Sequence, residues 1–82
     1  MSIKILFFGE LSESIKKSEI TLEIPNSLSV GSLFTNLMKD YQSLGEKWQN
    51  HILYAVNHTQ VKRDFIVTDG DEVAFMPPMS GG

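Results

Sequence analysis

The spacing of apolar residues changes along the chain, and each change marks an element. "IKILFF" is compact and rich in strand formers, and it predicts a first strand over residues 2–8. "SESIKKS" is polar and reads as a turn. "EITLEIP" alternates strictly: Ile20, Leu22 and Ile24 share one face, Thr21 and Glu23 the other, and Pro25 closes the segment. Two strands joined by a short polar stretch suggest a hairpin. The period becomes helical in "SVGSLFTNLMKDY", where Val30, Leu33, Phe34, Leu37, Met38 and Tyr41 fall on one side. Ser29 is placed to cap this helix, and Gly31 weakens its first turn. Residues 42–50 lack a clear period, and a loop with one helical turn around Trp48 is expected. "ILYAVN" predicts a third strand with Asn57 turning the chain, and "TQV" a short fourth. After a turn at Asp69-Gly70, residues 72–76 predict the last strand. The expected order is β-β-α-β-β-β: one α+β domain over residues 1–82, its main helix on one face of a mixed four- to five-stranded sheet.

One helix covers one face, so the strands must show what lies on the other. Lys4 marks the outer side of the first strand; Ile3, Ile5 and Phe7 then point at the helix, and Leu6 and Phe8 away from it. Glu72 does the same for the last strand, leaving Val73 and Phe75 inside and Ala74 and Met76 outside. If these strands are neighbours, Leu6, Phe8, Ala74 and Met76 join into one exposed apolar patch. Such a patch suits a protein partner better than solvent.

Composition narrows the function. The chain has no cysteine, hence no disulfide, no thiolate nucleophile and no sulfur-based metal site, which fits a reducing, cytoplasmic setting. Its net charge is −3, and Lys4, Lys16, Lys17, Lys39, Lys47, Lys62 and Arg63 are scattered, so no nucleic-acid surface is expected. No signal peptide and no membrane span are expected either. His51 and His58 fall on different elements with no third ligand for a metal. "DGDE" at 69–72 lacks the spacing of a calcium loop and reads as a turn. Lys62-Arg63 with Lys47 could help to dock an acidic surface, but a solvated face is the default reading. Gly31 and Gly45 are isolated, so there is no phosphate loop, and no Ser/His/Asp arrangement is suggested.

The chemistry is expected instead in the last residues, "EVAFMPPMSGG". Pro77 and Pro78 lack N–H donors and favour an extended geometry, so sheet pairing must stop there and a flexible tail, residues 77–82, must point away from the sheet. Gly81 and Gly82 form the thinnest peptide available, fit for a narrow channel. The one reactive group at the tip is the Gly82 α-carboxylate, inert until activated, for example as an acyl-adenylate.

"IKILFFGELSE", "LSVGSL", "YAVNHTQV" and "TDGDEVAFMPPMSGG" together resemble the small, sulfur-carrying subunits of molybdopterin synthase. The match runs from Ile3 to Gly82, weakest over 39–50, and its most specific piece is Pro-Pro-x-Ser-Gly-Gly. The resemblance implies a β-grasp, ubiquitin-like fold, in agreement with the element order. It implies that an ATP-dependent, E1-like enzyme adenylates Gly82 and that a sulfur donor converts the adenylate to a thiocarboxylate. The tail then enters the large synthase subunit and gives its sulfur to cyclic pyranopterin monophosphate; two transfers build the dithiolene. By this analogy Gly82 carries sulfur, Gly81 permits passage, and Pro77, Pro78, Met79 and Ser80 line the channel. Phe8 and Met76 match positions that meet the partner, in agreement with the outer face they share with Leu6 and Ala74, and a heterotetramer of two small and two large subunits is implied. No permanently bound cofactor and no complete active site of its own are implied. Three rivals stay open: a thiamine-pathway sulfur carrier, a ubiquitin-like modifier joined to lysines, and an interaction module with an incidental tail.

Overall fold

The computed structural model describes residues 1–39 and 51–77. Strand β1 (Ser2–Phe7) leads into helix α1 (Glu10–Ile15), strand β2 (Glu19–Glu23) and helix α2 (Val30–Met38). Strands β3 (Leu53–Val56), β4 (Thr59–Val61) and β5 (Glu72–Met76) follow. They form one sheet in the order β2-β1-β5-β3-β4. The central pair, β1 and β5, is parallel, with Leu6 opposite Ala74 and Phe7 opposite Phe75. The remaining pairs are antiparallel, so the sheet is mixed as expected.

The two-residue period sorts the strands as the charges foretold. Ile3, Ile5 and Phe7 of β1 and Val73 and Phe75 of β5 are buried, joined by Tyr54 and Val56 of β3. Against them α2 lays Val30, Leu33, Phe34 and Leu37, all buried, with Met38 at the edge. Phe75 is the hub: its ring lies 5.0 Å from Phe34, 5.8 Å from Tyr54 and 6.1 Å from Phe7, the first two edge-on. Edge-on contacts of this kind stabilise by about 0.5–1.5 kcal/mol beyond the area they bury. Ser29 caps α2, its hydroxyl accepting a hydrogen bond from the Ser32 amide at 3.1 Å.

Two connections differ from expectation. Residues 10–15 are helical, although 12–15 fall in the segment expected as a polar turn, and the order is β-α-β-α-β-β-β. Leu11 and Ile15, one turn apart, are both buried and pin α1 to the core; Lys16, left-handed at φ 66°, ends it. β1 and β2 pair antiparallel, but through this helix rather than a tight turn. The β3–β4 connection is a true two-residue hairpin, with φ 50° at Asn57 and 72° at His58. Positive φ at both positions suits the right-handed twist of the strands. Tyr41, and the helical turn expected around Trp48, lie outside the described residues.

Gly31 has a role that helix propensity does not reveal. Its amide donates to the Arg63 carbonyl at 2.9 Å, and a Cβ on it would lie 3.0 Å from that same oxygen. The segment after β4 can therefore lie flat against the start of α2. Two further bonds hold it there, Val30 N–H to Phe65 O and Val67 N–H to Leu28 O.

Candidate functional site

The pairing of β1 with β5 decides whether the outer apolar residues form a surface, and it brings them together. Leu6 stands opposite Ala74; across β5, Ala55 of β3 stands opposite Ala74 and Leu53 opposite Met76. The two small alanines at the centre leave a depression of about 320 Å³, rimmed by Leu6, Phe8, Met76, Gln60, His58 and Glu72. Phe8, just past the end of β1, is 46% exposed, unusual for a side chain of that size and apolarity. Leu6, Ala74 and Met76 are half-buried. The face is therefore concave, mainly apolar, and open to a large partner.

Charge bounds it on one side. Lys4 Nζ lies 3.8 Å from carboxylate oxygens of both Glu19 and Glu72, and His58 Nε2 lies 3.4 Å from Glu72. This row crosses the sheet from β2 to the β3–β4 turn. Exposed pairs at such distances add little stability, so the row serves mainly as a polar border.

The "DGDE" turn is held by its own hydrogen bonds. The Asp71 carboxylate accepts from the Thr68 amide at 2.8 Å, from the Asn57 side-chain amide at 3.1 Å and from the Thr68 hydroxyl at 3.3 Å. The Thr68 backbone bond, ahead of the two side-chain bonds and against a smaller burial effect, holds the Asp71 carboxyl below its usual range. Asp69 accepts from the Ser2 amide at 2.7 Å, tying this turn to the start of β1. Among the described residues no group of His, Asp and Glu could hold a metal ion. Nor is any described helix long and apolar enough to cross a membrane.

Pro77 follows β5 directly and packs on Gly9, at the elbow between β1 and α1. Pro78, Met79, Ser80, Gly81 and Gly82, the remaining tail residues singled out from the sequence, lie outside the described residues, as does Lys47. Lys62 and Arg63 are exposed.

Sequence reasoning missed the far half of the depression. Ala55 could have been read from the alternation in "LYAV", since inward Tyr54 and Val56 force Leu53 and Ala55 outward. Gln60 and His58 needed the hairpin register. A second exposed pair, Phe65 at 41% and Ile66 at 53%, sits in the irregular segment beside α2, where no period could announce it.

The family model of the ThiS family matches residues 5–82. The chain belongs to the ThiS family. This ThiS-family chain is 33% identical to the molybdopterin synthase sulfur carrier subunit of Escherichia coli, over 98% of its own length and 99% of the relative's. The fold is shared with the small archaeal modifier protein 1 of Haloferax volcanii: TM-score 0.82, 22% identity, complete coverage of both chains. It is shared also with a chain from the complex of subunits 1 and 2 of the molybdopterin-converting factor of Helicobacter pylori: TM-score 0.68, 23% identity, complete coverage of both. The fold is the ubiquitin-like β-grasp that the resemblance implied, and here a short helix joins the first two strands.

Proposed function

We propose that this ThiS-family chain is the sulfur carrier subunit of molybdopterin synthase. The observation that carries the reading is the concave apolar face assembled from β1 and β5, with Phe8 at its rim, lying at the root of a Pro-Pro-x-Ser-Gly-Gly segment. Full-length similarity to a carrier subunit of that name supports it. On this reading the face docks on the large synthase subunit, in an assembly of two small and two large subunits, and the same chain visits an E1-like activating enzyme. The large subunit supplies the catalytic side chains; this chain supplies the reacting terminus.

The steps follow from carboxylate chemistry. The Gly82 carboxylate attacks the α-phosphate of ATP and releases pyrophosphate, giving an acyl-adenylate. A hydrosulfide equivalent from a sulfur donor displaces AMP, and the tip becomes a thiocarboxylate. Inside the large subunit its sulfur attacks a side-chain carbon of cyclic pyranopterin monophosphate, forming a carbon–sulfur bond as the carbon–oxygen bond at that carbon breaks and the oxygen departs with a proton. Water then cleaves the acyl–sulfur bond and restores the carboxylate, and a second loaded chain delivers the second sulfur. Gly81 and Gly82 present no side chain to a narrow channel, and Pro77, Pro78, Met79 and Ser80 form its lining partner.

Intact mass after incubation with activating enzyme, ATP and a sulfur donor is the direct test. The expected result is a gain equal to exchanging one oxygen for sulfur, absent when Gly82 is deleted, and consumed when large subunit and pterin precursor are added. A mass gain consumed only by joining to lysines of other proteins would replace this reading with that of a protein modifier. No gain at all would leave an interaction module.

A further inference from the structure

Resting on that reading, we infer that Gly9 is a positioning residue for sulfur transfer: its backbone is the seat that aims the tail. Four observations meet at this residue. Gly9 has φ 57° and ψ −135°, a conformation that side chains other than hydrogen scarcely allow. A Cβ there would lie 3.1 Å from Cγ and 3.6 Å from Cδ of Pro77, so the proline ring occupies the space a side chain would need. The β1–β5 pairing runs one bond past the ladder, from Phe8 N–H to Phe75 O at 3.2 Å, bringing Gly9 level with Pro77. Finally, the Gly9 carbonyl is fixed by the Ser12 amide at 3.1 Å and the Ser12 hydroxyl at 2.8 Å, at the first turn of α1.

The short helix thereby acquires a purpose. α1 is held to the core by Leu11 and Ile15, and it holds Gly9 in place. Gly9 in turn supports the ring from which the carrier segment departs. Pro77 has its own φ fixed by its ring, and the proline that follows it confines its ψ to the extended range, so seating that ring sets the direction in which the chain leaves. Phe8, at the rim of the docking face, is the neighbouring residue, so docking and aim share one stretch of backbone. A misplacement of about 1 Å in a reacting group costs on the order of a hundredfold in rate, so a seat worth keeping should show in the transfer step.

Two variants test this from opposite sides. Gly9→Val places a branched side chain where the ring rests; Pro77→Ala removes the ring and leaves the Gly9 backbone untouched, so it keeps the test open if Gly9→Val fails to fold. With loaded carrier, large subunit and pterin precursor, each variant should lower the maximal single-turnover transfer rate about tenfold or more. For both variants the half-saturating concentration of large subunit should change by a smaller factor than the rate does. The double variant should be no slower than the worse single one, because both act through one contact. Rates equal to the parent's, or effects that multiply, would overturn the inference.

A second readout is independent of sulfur chemistry. The chain has no cysteine, so Ser80→Cys accepts a single nitroxide label. The set of backbone amides broadened by that label in the parent should change in Pro77→Ala; an unchanged set would overturn the seat whether or not the chain carries sulfur. Failure of the unmodified chain to transfer sulfur, with the label pattern still responding to Pro77→Ala, would instead overturn the proposed function and leave the seat standing.

Discussion

Asp71 shows how a single side chain can be mistaken for chemistry. In the sequence it belongs to an acidic run; in the structure its carboxylate closes a turn through Thr68 and Asn57. Its folded pKa lies below the ordinary value, so its contribution to stability is present above the unfolded pKa and is lost as pH falls through the folded one. Asp71→Asn should therefore destabilise the protein by about 1 kcal/mol at neutral pH, less than a buried charge-assisted hydrogen bond because solvent screens this turn. The difference between parent and variant should close in strong acid, and urea midpoints at both pH values check it. Phe8 lies at the same scale but is exposed, and on the proposed function it faces the partner. Phe8→Asp should leave the urea midpoint nearly unchanged while weakening binding of the large subunit by about 2 kcal/mol, roughly thirtyfold, as for a central aromatic contact. The same change at Phe65, beside α2, should spare that affinity; a titration calorimeter distinguishes the two.

Elements were legible where their period was long and unbroken. The alternation of β2, the strand character of β1 and the 3.6-residue spacing of α2 each repeat often enough to declare themselves. α1 did not: six residues contain only Leu11 and Ile15 as core contacts, and its serines, glutamates and the following lysines favour a turn by composition alone. What makes it helical is burial of those two side chains, which no local pattern expresses. Gly31 has a role beyond its helix propensity for a related reason. Helix propensity says that alanine there should gain up to about 1 kcal/mol. The Arg63 carbonyl says otherwise, since a Cβ at 3.0 Å from a backbone oxygen forces the segment away and strains the 2.9 Å bond between them. Overpacking on the order of 1–3 kcal/mol should win, so Gly31→Ala should lower the melting temperature, as a thermal melt followed by circular dichroism would show.

At the scale of the whole molecule, half of the concave apolar face was readable and half was not. Leu6, Phe8, Ala74 and Met76 follow from two charged markers and the pleat, but their union depends on β1 lying beside β5, a pairing between the first and last strands. Ala55, Gln60 and His58 came only with the register of three strands. That same pairing has a consequence for how the protein is made. Contacts between segments so distant in sequence form late and slowly. While a growing chain still lacks residues 72–76, β1 has no parallel neighbour, and Leu6 and Phe8 border no depression. On the proposed function, the docking surface and the start of the carrier segment are thus completed one after the other, within the last stretch of synthesis. A copy that stops before residue 72 presents neither, and cannot occupy a synthase site to no purpose.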